Sequence, residues 1–333
     1  MLKIGYMCIP LLAIYFLCNR QGETRIKIFD RNHTETIKGI AILLVILGHS
    51  AGEVGTRILN PFGSVGVVLF LIVSGYGVYK SYEVKGLKYF WTKKFLHVLM
   101  PYIIIQSIFM YGGGGDRAFS AKLIILDFLL IKPQHPYGWY LRYLFVCYII
   151  FWIIFSLKIS NRVKGIMTLV ICVIVSAYMG YLEQIAMFAF SLGVLFGIYG
   201  KESYKKKKLI FLMFISLLIG IISLGVKQLE VIRRGNQIIF ISIEIIEIYM
   251  LSLFVIIFIY LFYKLFRGGK IINNMSYELY LVHGYTIIWL KSASYVNITI
   301  FMGMTAIFAF AFHELNRWLE IKGSSLLMKN SKC

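Results

Sequence analysis

The sequence predicts an all-α protein, a polytopic bundle of about 10–11 transmembrane helices, and three observations support this fold class. Hydrophobic residues make up 59% of the 333 residues, whereas a soluble domain contains about 45–50%. Mean hydropathy is +0.77. Long apolar runs recur along the whole chain, separated by short polar segments. Because so many apolar side chains cannot hide in one soluble core, they must face lipid, and we expect a multi-pass protein of the plasma membrane.

The apolar runs define the candidate spans, since each crossing of a bilayer needs about 17–25 residues. Residues 3–18 and 185–199 are short for a full crossing. We predict a single integral membrane domain over 1–333, in which 1–36 form an extra N-terminal span plus an inner loop and 37–320 form the core. The candidate spans, about eleven in number, lie at 3–18, 37–54, 62–80, 96–112, 139–157, 165–182, 185–199, 209–226, 238–263, 275–290 and 297–313.

The charge distribution predicts the orientation of these spans. Lys and Arg number 35 and Asp and Glu 15, a formal net charge of +20. In a soluble protein this excess would suggest nucleic acid. Here basic residues gather in alternate interspan segments such as Lys205–Lys208, which is typical of cytoplasmic loops. We therefore expect no nucleic-acid partner and a cytoplasmic C-terminus; contact with anionic lipid or an anionic substrate is the alternative explanation.

Two further features limit the possible chemistry. The five cysteines show neither metal-binding spacing nor a disulfide framework, so we expect no metal site. The longest interspan segment, 112–138, opens with Gly112–Gly115, but no Lys-Ser/Thr pair follows the glycines, as a phosphate-binding loop would require. We predict that this segment is a flexible outer loop.

His49 is the first candidate for chemistry. It lies eleven residues after Lys38, so the two side chains share one helix face about 16 Å apart along the axis. Glu53 follows one turn later, where its carboxylate could orient the imidazole ring. Ionisable groups inside spans are costly and usually face a cavity or a partner. A histidine satisfied by neighbouring helices is the alternative interpretation.

Polar residues in the next two predicted helices extend this pattern. Ser74 and Gly75 are small residues that let helices approach closely. Lys94 and His97 lie one turn apart beside the inner face, and Pro101 follows them. This arrangement suits an anionic phosphate, although basic residues also occur there simply as topology signals.

Two carboxylates lie deep in the long run 238–263. Glu244 and Glu247 share one helix face, and unpaired carboxylates are costly inside a membrane. Arg142, near the outer end of 139–157, is a possible partner. Either these residues line a polar cavity for an acceptor or they form a structural ion pair between helices.

In this order the motifs resemble the acyltransferase 3 family. The family has a basic residue, ten intervening residues and a histidine, matched by Lys38 and His49, and then a Ser-Gly motif, matched by Ser74-Gly75. Its Arg-x-x-Arg pair corresponds to Lys94 and His97. The segment from Trp139 to Arg142 resembles its central tryptophan segment, and 276–283, ending at His283, looks like its Ser-Tyr-x-x-Tyr-Leu-x-His segment. Lysine or histidine thus replaces arginine at three positions.

The resemblance implies transfer of an acyl group, usually acetyl, from cytoplasmic acyl-CoA to a hydroxyl of a surface polysaccharide, a lipid-linked glycan or peptidoglycan. Acyl-CoA would be a co-substrate, with no bound cofactor. The resemblance makes His49 the catalytic candidate, and the i+4 spacing adds Glu53 as the catalytic partner that could orient it. Lys38, Lys94 and His97 would bind the donor. A polar acceptor cavity or structural network would comprise Ser74, Trp139, Arg142, Glu244, Glu247 and His283.

Two other classes of protein fit the pattern less well. A transporter or flippase could also bury Glu, Arg and His within a multi-span bundle, but the sequence shows no internal inverted repeat. The order of the motifs argues against a purely structural membrane subunit.

Overall fold

A computed structural model describes residues 27–53, 59–111, 120–201, 204–263, 265–266, 270–290 and 294–330. These residues are helical or lie in turns and short connections, and none of them forms a strand. The candidate span 3–18 and the glycines Gly112–Gly115 lie outside the described residues. The prediction of an all-α fold is confirmed.

Fifteen α-helices follow one another in the described parts of the chain. They are α1 (Arg31–Glu53), α2 (Asn60–Lys85), α3 (Phe90–Lys94), α4 (Met100–Gln106), α5 (Ala121–Phe128), α6 (Gly138–Ser156), α7 (Asn161–Ala177), α8 (Tyr181–Ile185), α9 (Ala189–Tyr199), α10 (Lys206–Gln228), α11 (Glu230–Arg233), α12 (Gln237–Leu261), α13 (Lys270–Asn274), α14 (Ser276–Thr286) and α15 (Tyr295–Asn330). Two π-helical segments, Phe95–Leu99 and Ser107–Tyr111, continue α3 and α4, and a 3₁₀ turn, Ile287–Leu290, continues α14.

Seven helical segments among the described residues are long and apolar enough to cross a membrane. They are Arg31–Glu53, Asn60–Lys85, Gly138–Ser156, Tyr181–Tyr199, Lys206–Gln228, Gln237–Leu261 and Tyr295–Leu319. Each overlaps a predicted span. The predicted spans 96–112, 165–182 and 275–290 correspond to helices that are short or interrupted by π or 3₁₀ turns. The chain is therefore a multi-pass membrane protein.

The chain divides into two compact units. The first contains the described residues up to Leu87 together with Tyr143–Asn274. In it, α2 packs along both α1 and α9, and α10 packs along α12. Glycines allow the closest of these approaches: a Cβ on Gly193 would lie 2.0 Å from the carbonyl oxygen of Ile72, and one on Gly75 would lie 2.0 Å from that of Phe190.

The second unit contains Lys88–Arg142 and the described residues from Met275 onward. Here α14 packs against α15 and α4. The expectation of a flexible loop over 112–138 is wrong for its described part. Residues Ala121–Phe128 form a helix that Ser120 caps by accepting a hydrogen bond from the backbone N–H of Leu123, and Asp127 and His135 are buried. Hydrogen bonds to the buried polar groups order this segment.

Candidate active site

Helix α1 carries Lys38 and His49, and both side chains are half-buried. The structure keeps the helix unbroken between them, so the common face predicted from their spacing is present. Glu53 is the last residue of this helix and is exposed. It lies one turn beyond His49, and its role in orienting the ring stays a prediction.

The crossing of α1 and α2 fixes the position of His49. A Cβ on Gly48 would lie 2.4 Å from the backbone nitrogen of Gly63, so the two backbones touch here. The His49 ring lies beside the same glycine: a Cβ on Gly63 would lie 3.8 Å from Cδ2 and 3.9 Å from Nε2. The contact between α1 and α2 therefore places the imidazole of His49 beside Gly63.

Ser74 lies on α2 in the first unit. Its hydroxyl is 2.8 Å from the hydroxyl of Tyr148 on α6. The Ser-Gly pair therefore has two structural roles. Ser74 links α2 to α6 through this hydrogen bond, and Gly75 allows α9 to approach α2 closely. A role for Ser74 in binding an acceptor stays a prediction.

Glu244 and Glu247 lie on α12, and the partner that the structure shows for them is Lys227. Its ammonium lies 3.1 Å from Oε1 of Glu244 and 2.5 Å from Oε2 of Glu247. The hydroxyl of Tyr181 also donates to Glu244. All of these residues belong to the first unit, whereas Arg142, the partner suggested by the sequence, belongs to the second. Lys227 is 9% exposed and Glu247 is fully buried, so the cluster is a desolvated charge network.

Lys94 and His97 lie in the second unit, where α3 passes into a π-helical turn. Such turns often occur at functional sites. His97 is exposed. Lys94 is partly covered, its ammonium lies 5.6 Å from the ring centre of Phe90, and burial lowers the pKa of Lys94 to about 8. The hydroxyl of Tyr277 donates to the carbonyl of Val98 at 2.7 Å and ties this turn to α14.

A buried polar network centred on Asp127 was missed by sequence analysis. Its carboxylate accepts hydrogen bonds from the hydroxyl of Tyr102 (2.5 Å), the side-chain amide of Gln106 (2.8 Å) and the backbone N–H of Gln134 (2.7 Å). Gln106 in turn accepts from Tyr285 on α14. The sequence feature that could have predicted this network is the single carboxylate in an apolar stretch, Leu-Ile-Ile-Leu-Asp-Phe-Leu-Leu.

Aromatic rings surround His283 in the second unit. The His283 ring stacks on Tyr137 with centres 5.0 Å apart and an interplanar angle of 1°. Its Nδ1 lies 3.1 Å from the carbonyl of Leu279, so Nδ1 carries a proton that it donates to this carbonyl. Trp139 and Arg142 lie on the first turns of α6 and are partly buried.

Residues 34–313 match the family model of an acyltransferase domain, that of the acyltransferase 3 family. This is most of the chain and includes parts of both compact units. The chain belongs to the acyltransferase 3 family. No curated protein and no solved structure matches it significantly.

Hydrogen bonding distinguishes the buried histidines of this acyltransferase. The Nδ1 of His33 accepts the backbone N–H of Phe29 at 2.9 Å, and its Nε2 lies 3.1 Å from the carbonyl of Ile256. His135 is held in the same way: Nδ1 accepts the N–H of Tyr137 at 3.0 Å and Nε2 lies 2.8 Å from the carbonyl of Leu281. Both rings are thus fixed as neutral donors at Nε2, which leaves neither nitrogen to accept a proton.

His135 lies outside the membrane spans, and its burial also favours the neutral ring. Desolvation disfavours the imidazolium and lowers the pKa of His135 to about 4. His313 lies beside a carboxylate, with Nδ1 3.4 Å from Oε1 of Glu278. Among the described residues of the acyltransferase, no group of three or more His, Cys, Asp or Glu side chains could hold a metal ion.

Proposed function

We propose that this acyltransferase moves an acetyl group from cytoplasmic acetyl-CoA to a hydroxyl of a surface polysaccharide or lipid-linked glycan, with His49 as the base. The observation that carries this proposal is the position of His49 in the fold. His33 and His135 have both ring nitrogens committed to the backbone. His49 is half-buried at the position that the family motif gives to its histidine, on the helix that also carries Lys38.

The proposed reaction follows from general acid–base chemistry. His49 would take the proton of the acceptor hydroxyl as its oxygen attacks the thioester carbonyl. The C–S bond would then break, and the departing CoA thiolate would take the proton back from the imidazolium. Lys38, Lys94 and His97 would hold the phosphates of the donor through charge-assisted hydrogen bonds. Ser74, Trp139, Arg142, Glu244, Glu247 and His283 are proposed to shape the acceptor side.

A compositional experiment tests the proposed function. The gene is deleted, and NMR of isolated surface glycans before and after mild base measures ester-linked acyl groups. We expect these esters to disappear, to return with the wild-type gene, and to stay absent with His49→Ala at equal protein level. Leu44→Ala, a partly buried position on the same helix, is the matched control and should restore them.

The same experiment separates the proposal from its main alternative. Wild-type ester content in the His49→Ala strain would exclude His49 as the base. If deletion changed the amount of glycan at the surface but not its ester content, the protein would be a transporter or flippase instead.

The donor assignment also requires an orientation, and we propose a cytoplasmic C-terminus on the basis of the alternating charge. Val231 is 82% exposed between α10 and α12, on the predicted outer side, and Lys205 lies at the opposite end of α10. In a background without native cysteines, an impermeant maleimide added to intact cells should label Val231→Cys and spare Lys205→Cys. The reverse pattern would invert the orientation and exclude a cytoplasmic donor site at Lys94.

A further inference from the structure

The first unit contains a cavity of about 290 Å³ that the proposed chemistry does not use. We call it the Lys201 cavity. Its cationic lining consists of Lys80, Lys201 and Lys208, and its aromatic wall includes Phe29, Tyr76 and Phe196. Leu209, Leu212, Leu253 and Ile257 contribute an apolar wall. Among the residues that the structure describes, those that line the cavity include no acidic side chain.

The chain brings five segment ends together at this cavity. They are the turn before α1, the C-terminal parts of α2, α9 and α12, and the N-terminal turn of α10. Consecutive spans run in opposite directions, so these ends meet at one end of the first unit. The lysine-rich segment 201–208 belongs to this end. The cavity therefore lies where spanning helices meet the water, on the side that the charge bias predicts to be cytoplasmic.

The cationic part of the cavity suits a phosphate. Lys201 and Lys208 are exposed and have room to turn toward a ligand. Lys80 shares its charge with Glu83, at 2.8 Å. Lys208 lies in the first turn of α10, a helix of 23 residues, whose N-terminal dipole adds to the positive potential. An ammonium cluster of this kind attracts a phosphodiester headgroup of net negative charge more strongly than a zwitterionic one.

A strained residue forms the aromatic wall. Phe29 has a positive φ of 59°, which is rare for a bulky residue. Its ring packs on Tyr76 at 5.0 Å and on Phe196 at 5.3 Å, and its N–H donates to His33. Strained residues that the surroundings hold in this way occur preferentially at ligand sites. Packing on both sides therefore holds the Phe29 ring in place as a fixed wall of the cavity.

The apolar wall indicates the rest of the ligand. It comes from α10 and α12, both long enough to span the membrane. On this wall Leu209 and Ile257 are buried, whereas Leu212 and Leu253 are partly exposed. A ligand with its phosphate on the lysines would therefore place an apolar portion against Leu212 and Leu253, which belong to two membrane-spanning helices.

We propose that the Lys201 cavity binds the phosphate headgroup of an anionic membrane phospholipid. The nucleotide end of acyl-CoA shares the phosphate chemistry, but an apolar wall formed by two membrane-spanning helices favours the lipid. This site is separate from His49, and the proposal holds whether or not that residue is the base.

Native mass spectrometry of the delipidated, full-length protein tests the proposal with phosphatidylglycerol as the anionic probe and phosphatidylcholine as the neutral one. We expect selective binding of phosphatidylglycerol. Lys201→Gln with Lys208→Gln should weaken it about tenfold or more, since each lysine near an anionic headgroup contributes about one decade or slightly less. Lys206→Gln with Lys207→Gln is the matched control. It removes the same charge from the same segment at positions that do not line the cavity, so its effect should be no more than about threefold.

Two more measurements locate the lipid and exclude the other phosphate source. Leu212→Trp fills the apolar wall without changing charge and should also weaken phosphatidylglycerol binding. Tm without added lipid should be the same for both lysine pairs. Equal loss in the two pairs, or full binding in Leu212→Trp, would show that lipid only coats a basic surface and would overturn the proposal. Displacement of phosphatidylglycerol by CoA, with CoA binding lost in the Lys201–Lys208 pair alone, would overturn it in favour of the nucleotide.

Discussion

The ammonium of Lys227 lies 2.5 Å from Oε2 of Glu247 and 3.1 Å from Oε1 of Glu244. One cation near the end of α10 therefore holds two carboxylates of α12. Charges in an apolar environment persist only when they are paired. Since α10 packs mainly along α12, this network fixes the register of the two helices.

Lys227→Met should destabilise the protein strongly. Removing one partner from a buried ion pair typically costs about 3–5 kcal/mol, because the remaining charge is left uncompensated. We expect Tm in detergent to fall by several degrees, and Lys207→Met, an exposed lysine of the same helix, to have little effect. Adding Glu244→Gln and Glu247→Gln to Lys227→Met should restore most of the loss. No recovery in the triple variant would mean that Lys227 stabilises the protein by packing and not by charge.

A glycine pair on α1 gives a second prediction. A Cβ on Gly48 would lie 2.4 Å from the backbone of Gly63, whereas a Cβ on Gly52 would meet nothing within 4 Å. Gly48→Ala should therefore separate α1 from α2 and cost about 1–3 kcal/mol through overpacking. Gly52→Ala should be neutral or slightly stabilising, because alanine favours a helix. If the two variants have the same Tm, the close contact beside His49 is not maintained in the membrane.

The buried carboxylate of the second unit supports a third prediction. Asp127 accepts three hydrogen bonds, and Asp127→Asn would turn an amide donor toward at least one of these donors. We expect a loss of about 2–3 kcal/mol, the cost of breaking charged hydrogen bonds in a buried site. Tyr102→Phe removes only one of the three bonds and should cost less. A variant that keeps wild-type Tm would show that Asp127 does not organise this segment.

The sequence was sufficient to predict the elements whose signal is local. Apolar runs such as those at 37–54 and 62–80 matched helices closely, because a lipid-facing helix needs a continuous apolar stretch. The spacing of Lys38 and His49 also required only helical geometry. The π turns at 95–99 and 107–111 and the break between Ile185 and Ala189 were not predicted, since they depend on packing between helices.

The partners of individual side chains were harder to predict from the sequence. Lys227 was assigned to an outer segment, because nothing local shows that a lysine near the end of α10 folds against Glu247, twenty positions further on. Asp127 and His135 lie in the segment 112–138, for which the glycines and prolines predicted a flexible loop. Their burial depends on Tyr102, Gln106 and Leu281, residues from other helices. Long-range pairing of this kind leaves no periodicity in a single sequence.

The lowered pKa of Lys94 makes the proposed donor site sensitive to pH in a defined direction. Burial lowers the pKa of Lys94 to about 8, so the ammonium is present below this pH and is lost as pH rises through it. An anionic donor binds the charged form, and kcat/KM reports the ionisation of the free enzyme. We expect kcat/KM for acetyl-CoA to fall above pH 8, by about tenfold once the amine is neutral, since a charged hydrogen bond contributes about 1.5–3 kcal/mol.

Lys94→Arg separates this effect from the titration of other groups, because a guanidinium stays charged up to about pH 12. The arginine variant should keep its kcat/KM above pH 8 and bind the donor at least as well, since its fork suits phosphate. Lys94→Ala should show the low value at every pH. His97→Ala, an exposed neighbour, should lower donor affinity without moving the midpoint near pH 8. A base acts in its neutral form, so protonation of the base lowers kcat/KM as pH falls and cannot produce a decline as pH rises. An identical alkaline decline in wild type and Lys94→Arg would show that another group titrates there and that Lys94 does not hold the donor.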